Sequence, residues 1–285
     1  MTGVIAVDVG GTKLAAGFVR ADGTLTARAE TPTSLDVDAD TLFAKLATLV
    51  ATIDASGAIA VGVGCGGPMD AGGDHVSPLN IPAWRDFPLR ARLADDTGMP
   101  VWVDNDAKAL ALGEGWCGAA RGARDYLAMV VSTGVGGGIV LDGRLLDGAA
   151  GNAGHIGHVI VEPNGHVCGC GARGCLEAEA SGSAIARITG APARDASTEV
   201  RERTGTLVGR AVASVANLLD LPLAVAAGSV ALGFGEPFFA AAQRELDASC
   251  RLDFSRGTRI VPAALGADGP LIGAAKVALQ HLPLP

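Results

Sequence analysis

The chain has 285 residues, 49% of them hydrophobic, and a formal net charge of −8 at pH 7. A nucleic-acid surface needs clustered Lys and Arg, so the acidic balance argues against a nucleic-acid partner. No apolar run has the length of a bilayer span and no cationic leader precedes the first predicted strand, so we expect a cytoplasmic protein without a membrane partner. The length itself predicts about two domains.

Two segments share an order of strand, glycine turn and strand. In the first, the apolar run 4–7 leads into DVGGTK at 8–13, and a second strand follows. In the other, the run 126–131 leads into STGVGGG at 132–138, and 139–141 leave it as a strand. Glycine turns let backbone N–H groups crowd around an anion, and we expect this anion to be phosphate. Two copies therefore predict a duplicated fold that grips one ligand, whereas either turn alone would also suit a plain hairpin.

Strands and helices alternate along the rest of the chain. Short apolar runs predict further strands at 59–63, 101–103, 223–227 and 260–262. Apolar positions at helical spacing predict helices at 39–53, 89–97, 207–219, 236–252 and 271–280. This order predicts an α/β fold, whose ligand sites gather at the carboxyl ends of strands.

The sequence DND at 104–106 follows the strand 101–103, and a helix opens directly after it. An Asp between strand and helix is often an ordinary N-cap, which is the alternative interpretation here. However, Asp106 lies in the same predicted layer of strand ends as Asp8 and Gly67. A carboxylate in that layer could accept a proton from a substrate hydroxyl, and the helix N-terminus would keep it ionised.

A second candidate site is a glycine-rich loop bracketed by His158, Cys168, Cys170 and Cys175. Three thiolates and one imidazole make a closed tetrahedral set, the structural type of zinc site. The alternative is three reduced cysteines and an unrelated histidine. We favour zinc, because three cysteines so close together in a glycine-rich loop have no packing rationale. The remaining cysteines are expected to be buried small hydrophobes: Cys65, Cys117 and Cys250.

These motifs occur in the same order in the ROK family of repressors and sugar kinases, and the chain resembles that family from about residue 4 to residue 280. The cysteine motif, followed by Leu176 and Glu177, is the most specific part of the resemblance. The resemblance implies the actin-like ATPase fold, a duplicated ribonuclease H-like α/β fold with two domains and a central cleft. The expected domains are a small one at 1–117, joined by the C-terminal helix 271–285, and a large one at 118–270.

The resemblance also implies an activity, the ATP-dependent transfer of the γ-phosphoryl group of MgATP to a hexose hydroxyl, expected to be the 6-hydroxyl. The positions that match nucleotide-binding residues are Asp8, which would hold Mg²⁺, and Gly10, Gly11, Thr12, Lys13, Thr133, Gly134 and Gly228. The positions that match the sugar pocket are Gly67, Asn80, Asn105, His158, Glu177 and the catalytic base Asp106. The implied cofactors are ATP, Mg²⁺ and a structural Zn²⁺, and family members often form homodimers.

The chain departs from the family at His155. The usual pattern before the zinc-binding histidine is Glu-x-Gly-His, whereas this chain has HIGH at 155–158. A neutral His accepts one hydrogen bond and a protonated His none, so His155 predicts a hydroxyl or amine pattern different from that of glucose. An amino sugar, a hexose epimer or a cyclitol would fit. The alternative is that His155 binds a hydroxyl well enough for glucose. Asn152 is a further polar candidate, with a turn role as its alternative.

Two other functions stay open at this point. One is a sugar-binding sensor without turnover, as the regulators of the family are. The intact Asp8, Asp106 and glycine turns argue against it, and so does the lack of a recognisable DNA-reading segment. The other keeps the kinase but replaces ATP with polyphosphate, which the same phosphate cradle would accommodate.

Overall fold

A computed structural model describes residues 2–282. Met1 and residues 283–285, with which the predicted C-terminal helix 271–285 ends, lie outside the described residues. The chain forms two compact units. The first comprises Met1–Cys117, Asp147–Ala153 and Leu265–Pro285, and the second comprises Gly118–Leu146 and Gly154–Ala264. Within residues 2–282, every helix is too short or too polar to span a bilayer.

The elements alternate between strand and helix along both units. The strands are β1 (Gly3–Val9), β2 (Lys13–Arg20), β3 (Leu25–Pro32), β4 (Ala58–Cys65), β5 (Val101–Asn105), β6 (Tyr126–Val131), β7 (Val135–Leu141), β8 (Arg144–Leu145), β9 (Leu223–Ala227) and β10 (Arg259–Pro262). The helices are α1 (Ala39–Ala51), α2 (Leu89–Thr97), α3 (Asp106–Cys117), α4 (Leu176–Ala180), α5 (Gly182–Thr189), α6 (Thr198–Leu219), α7 (Ser229–Phe234), α8 (Glu236–Ser249) and α9 (Gly269–Leu279).

Both units are built on a five-stranded sheet with the same topology. In the first unit, β1, β2 and β3 form an antiparallel meander, and β4 and β5 join beside β1 in parallel. In the second unit, β6, β7 and β8 form the meander, and β9 and β10 join beside β6 in parallel. The duplication predicted from the two glycine turns is confirmed, and the fold is the two-domain actin-like α/β fold.

The second glycine turn is shorter than predicted. The expected turn at 132–138 ends at Gly134, because β7 begins at Val135 and its glycines at 136–138 pair with β6. A Cβ placed on Gly137 would lie 3.0 Å from Cγ2 of Ile156. The strand glycines therefore serve close packing on the sheet, and only the residues before Val135 are free to form a turn.

Several other expectations need correction. Helix α6 begins at Thr198 rather than at residue 207, and α8 ends at Ser249 rather than at residue 252. Strand β3 was not predicted, because it is an edge strand with no buried residue and lacks an apolar run. Among the scattered cysteines, Cys65 and Cys250 are buried as expected, whereas Cys117 is only half-buried.

Strand β1 is covered on both faces, which explains its continuous apolar sequence. Ile5 and Val7 face a core shared with α1 and α2. Val4 and Ala6 face a second core that includes residues of α9.

Helices cross at glycines in both units. A Cβ on Gly273 of α9 would lie 2.2 Å from the carbonyl oxygen of Ala109 in α3. A Cβ on Gly205 of α6 would lie 2.2 Å from the carbonyl oxygen of Phe238 in α8. Side chains at these points would overlap the neighbouring backbone, so only glycine permits the close approach.

Candidate active site

The predicted site residues divide between the two units. The first unit holds Asp8, Gly10, Gly11, Thr12, Lys13, Gly67, Asn80, Asn105 and Asp106. The second unit holds Thr133, Gly134, His155, His158, Glu177, Gly228 and the three cysteines of the loop.

The first glycine turn joins β1 to β2. The N–H of Gly10 donates to the carbonyl of Lys13 at 3.0 Å, and the Thr33 hydroxyl donates to the carbonyl of Gly10 at 2.7 Å. A Cβ on Gly11 would lie 2.6 Å from Cβ of Asn80, so glycine lets the loop of Asn80 rest against the turn. The structure thus brings a predicted nucleotide residue next to a predicted sugar residue.

The Lys13 side chain forms an ion pair with the edge strand of the sheet. Its ammonium pairs with the Glu30 carboxylate of β3 at 3.2 Å, and the Arg28 guanidinium pairs with the same carboxylate at 2.9 Å. Both charges still act on Asp8, since each opposes the rise of its pKa.

Asp8 and Asp106 flank a bare stretch of backbone. Parallel pairing sets Asp8 opposite Gly64, and Gly64 opposite Asp104, in one row across the sheet. A Cβ on Gly64 would lie 3.9 Å from Oδ1 of Asp8 and 3.5 Å from Cα of Asp106. The methyl group of Ala109 lies 3.4 Å from the same point, so Asp8 and Asp106 both border the backbone of Gly64.

The carboxylates of Asp8 and Asp106 repel each other. Burial raises the pKa of Asp8 from its ordinary 3.8 to about 7, and the Asp106 carboxylate adds to the rise. Burial and the same two carboxylates raise the pKa of the Cys65 thiol well above its usual range. Carboxylates that repel one another in a poorly solvated place are stabilised by a divalent cation, and oxygen ligands suit Mg²⁺. The donor set therefore fits a magnesium ion held by Asp8.

Asn105 caps helix α3. Its Oδ1 accepts the N–H groups of Ala107 at 3.0 Å and Lys108 at 3.3 Å. Its Nδ2 faces Gly67, where a Cβ would lie 3.3 Å away. With its oxygen engaged by the helix, Asn105 offers N–H groups to a ligand. The capping role considered for Asp106 falls mainly to its neighbour, although Oδ1 of Asp106 accepts the N–H of Ala107 at 2.8 Å.

A buried lysine follows on α3 that no sequence motif had indicated. The ammonium of Lys108 donates to Asp104 at 2.9 Å, to Asp147 at 2.7 Å and to the carbonyl of Gly151 at 3.3 Å. Burial alone would lower the pKa of Lys108, but the two carboxylates raise it above its ordinary value. Lys108 therefore stays charged and fastens the segment Asp147–Ala153 to the start of α3. The one available signal was a lysine in an otherwise apolar stretch of helix.

Asn152, in this segment, has the turn role that was its alternative. Its side-chain amide donates to the carbonyl of Ala150 at 2.8 Å.

In the second unit, the turn at 132–134 is closed by a hydrogen bond from the N–H of Ser132 to the carbonyl of Gly134 at 2.9 Å. The hydroxyls of Ser132 and Ser229 lie 3.0 Å apart. Gly228 adopts a φ of +97°, and a Cβ there would lie 2.3 Å from the carbonyl oxygen of Val131. The predicted nucleoside residue Gly228 is thus packed against β6, the strand that leads into the turn at 132–134.

Glu177, a predicted sugar residue, lies on the same turn. Its Oε2 accepts the N–H of Val135 at 2.9 Å. A Cβ on Gly134 would lie 2.9 Å from that oxygen, so glycine is required for the contact. No pattern in the sequence indicates that Glu177 contacts the turn at 132–134.

The four predicted zinc residues converge. The ligand atoms of His158, Cys168, Cys170 and Cys175 all lie within 4.8 Å of one another. Nδ1 of His158 is 3.8 Å from Sγ of Cys168, and the sulfurs of Cys170 and Cys175 are 3.7 Å apart. A tetrahedral ion with Zn–S bonds of about 2.3 Å would separate two sulfurs by about 3.8 Å. The cluster therefore fits a zinc ion.

The loop of this cluster is anchored by a buried carboxylate. Glu179 pairs with the ring of His166 at 2.9 Å and with the guanidinium of Arg203 at 2.7 Å. Burial would raise the pKa of Glu179, but hydrogen bonds from the backbone N–H of His166, from Arg203 and from the His166 ring lower it below its ordinary value. The loop is thus held at a second point, independent of any metal.

His155 precedes the single turn Ile156–His158 and is exposed. The rings of His155 and His158 lie 6.0 Å apart at an interplanar angle of 29°. Two imidazoles therefore stand side by side where the family pattern has a carboxylate and an imidazole.

The duplicated sheet with a glycine turn in each unit places the chain among proteins of the actin-like ATPase fold. The model of the ROK family matches residues 4–281, and the chain belongs to that family.

Its relatives include sugar kinases of two specificities. The glucokinase of Thermotoga maritima is 32% identical over 312 aligned positions, with 98% of each chain covered. The N-acetylmannosamine kinase of Citrobacter koseri is 38% identical over 247 positions, covering 81% of this chain and 84% of its own. The solved structure of a ROK family glucokinase from Streptomyces griseus, in complex with glucose and AMPPNP, matches with a TM-score of 0.84 at 30% identity, covering 98% of this chain and 99% of that one.

Proposed function

We propose that the protein is an ATP- and magnesium-dependent sugar kinase that phosphorylates the 6-hydroxyl of N-acetylmannosamine. The observation that carries the kinase assignment is the acidic pair, Asp8 and Asp106, on either side of Gly64 and beside the first glycine turn. Sugar kinases among the relatives support it.

In this proposal the acidic residues have different tasks. Asp8 would hold Mg²⁺, which neutralises charge on the phosphates of ATP when it is bound. Asp106 orients the attacking hydroxyl and accepts its proton late, because the transition state of phosphoryl transfer is loose and depends mainly on positioning and charge. The N–H groups of Asn105 donate to a sugar oxygen, and the backbone N–H groups of the two glycine turns bind phosphate oxygens.

The Cys-His cluster would hold a structural zinc ion. The four residues are His158, Cys168, Cys170 and Cys175, and a closed set of four protein ligands leaves no position for a reacting group. The ion would fix the loop that carries His158 and leads into Glu177, so its contribution is to shape the second unit.

The choice of sugar follows from His155. A carboxylate only accepts hydrogen bonds, so it suits sugar hydroxyls, which can donate. An imidazole can also donate, and the carbonyl of an N-acetyl group is an acceptor. His155 therefore suits an N-acetylated sugar better than it suits glucose. The relatives include N-acetylmannosamine kinases at 36–38% identity as well as glucokinases at 32% and 39%.

The test is ADP release from MgATP with N-acetylmannosamine, N-acetylglucosamine, mannose, glucosamine and glucose, and with Asp106→Asn as the blank. We expect the highest kcat/KM for N-acetylmannosamine, at least about tenfold above glucose, since one well-placed polar contact discriminates by that much or more. The matched variant His155→Glu should shift the ratio toward glucose.

Three results would contradict parts of the proposal. A wild-type preference for glucose would overturn the substrate. Sugar binding without ADP release would indicate a sensor. Turnover with polyphosphate but not with ATP would replace the donor. The zinc assignment is tested separately by metal analysis, which should find about one zinc per chain in the wild type.

A further inference from the structure

The backbone of the phosphate turn (residues 132–134) is held by one stretch of chain, residues 177–183, which directly follows the cysteine loop. Three hydrogen bonds make this contact: Val135 N–H to Oε2 of Glu177 at 2.9 Å, Gly182 N–H to the carbonyl of Ser132 at 2.7 Å, and Ser183 N–H to the carbonyl of Thr133 at 3.2 Å. The turn is therefore held through the carbonyl groups of Ser132 and Thr133 and through the N–H of Val135, the residue that follows it.

The docking leaves the inner N–H groups of the turn available. Within residues 2–282, the N–H groups of Thr133 and Gly134 donate to no protein atom. These are the groups that the proposed function assigns to phosphate oxygens. Their direction depends on the peptide planes on either side, and Glu177 fixes the plane that follows Gly134.

Glu177 is itself placed rigidly. It is the second residue of α4, whose N-cap is Cys175 of the Cys-His cluster. The N–H of Leu176 donates to the carbonyl of Val159 at 2.9 Å, and Ser181 caps the next helix through the N–H of Ala184 at 3.1 Å. The carboxylate is thus presented from a backbone fixed on both sides.

Only one oxygen of the carboxylate is used by the turn. Oε2 of Glu177 accepts from Val135, whereas Oε1 has no partner within the described range 2–282. We propose that Glu177 is a positioning residue for the phosphate turn as well as a sugar residue: one oxygen orients the N–H groups that bind ATP, and the other faces the sugar. This inference rests on the proposed function and gives one side chain a task toward each substrate.

The experiment measures the affinity for MgAMPPNP in the absence of sugar by titration calorimetry. Glu177→Ala removes the acceptor and should weaken nucleotide binding by about tenfold, the value of one hydrogen bond to a charged group. Glu177→Gln keeps an oxygen that can accept the N–H of Val135, so its affinity should stay within about threefold of the wild type. Both variants should raise the KM for the sugar.

His155→Ala is the matched control. His155 belongs to the same unit and to the proposed sugar site, but not to the three bonds that hold the turn. It should raise the KM for the sugar and leave the nucleotide affinity unchanged. A second readout is amide hydrogen exchange of a peptide that covers 132–138, which should be faster in Glu177→Ala and unchanged in Glu177→Gln.

The outcomes separate the inference from the function beneath it. Equal nucleotide affinity and equal exchange in the wild type and Glu177→Ala would overturn the positioning role while leaving the kinase intact. Equal losses in Glu177→Gln and Glu177→Ala would also overturn it, because the acceptor would then not be what matters. A wild type that binds no nucleotide would overturn the proposed function and this inference together.

Discussion

The raised pKa of Asp8 makes the stability of the metal-free protein depend on pH. Burial, with help from Asp106, moves the pKa from 3.8 to about 7 in the folded state. A group whose pKa is higher in the folded than in the unfolded protein stabilises the folded state fully at a pH below its unfolded pKa. This stabilisation is lost as the pH rises through its folded pKa. Between these two pKa values, each pH unit lowers the free energy of unfolding by about 1.4 kcal/mol, or by about 4 kcal/mol in all.

The assay is urea unfolding with a chelator at about pH 5.5 and about pH 8, which brackets roughly 2 kcal/mol of this loss. The wild type should lose that amount between the two conditions, and Asp8→Asn, which cannot ionise, should not. Asp36→Asn removes an exposed carboxylate in the same unit and should follow the wild type. Adding Mg²⁺ at the higher pH should stabilise the wild type but not Asp8→Asn.

Parallel pH profiles for the wild type and Asp8→Asn would refute the reasoning. They would mean that Asp8 ionises at its ordinary pKa, and the acidic pair would then lack the electrostatic reason to bind a cation.

Three further changes probe other parts of the structure. Lys108→Met leaves Asp104 without its partner in a buried place, and should lower the free energy of unfolding by about 3 kcal/mol in urea titrations. Gly273→Ala drives a methyl group into a backbone carbonyl of α3 and should cost about 3 kcal/mol. The control Gly233→Ala, a helical position with open space, should be neutral or stabilising by up to about 1 kcal/mol, and a loss as large as at residue 273 would contradict the packing argument. Cys170→Ser should reduce the zinc content by mass spectrometry and lower the melting temperature, whereas full zinc occupancy would remove this cysteine from the ligand set.

Much of the fold could be predicted because its strands are buried. The runs at 126–131 and 223–227 match β6 and β9, since strands covered on both faces are apolar throughout. The C-terminal end of helix α2 at Thr97 could be predicted because Gly98 adopts the left-handed conformation that ends the helix, with a φ of +67°. Strand β3 could not be predicted in this way, because an edge strand can pair with its neighbour without an apolar sequence.

The site was less accessible to sequence reasoning. Local motifs mark the turns and the metal loop, and the resemblance to a family assigns them roles. The contacts between these motifs, however, could not be predicted from the sequence. Lys108 meets Asp147 across 39 residues, and Val135 meets Glu177 across 42 residues. Such polar contacts have no periodicity, so they become visible only when the backbone is placed. The homodimer and the cytoplasmic location stay predictions.

The helix α9 covers the face of the first sheet formed by Val4 and Ala6, and it does so with residues such as Leu271 and Ala274. During synthesis on the ribosome, this sheet emerges before the second unit, and its covering helix emerges after that unit. The whole second unit is translated in between. The apolar face therefore stays uncovered until α9 is synthesised, and we expect nascent chains that stall before α9 to depend on chaperones for their solubility.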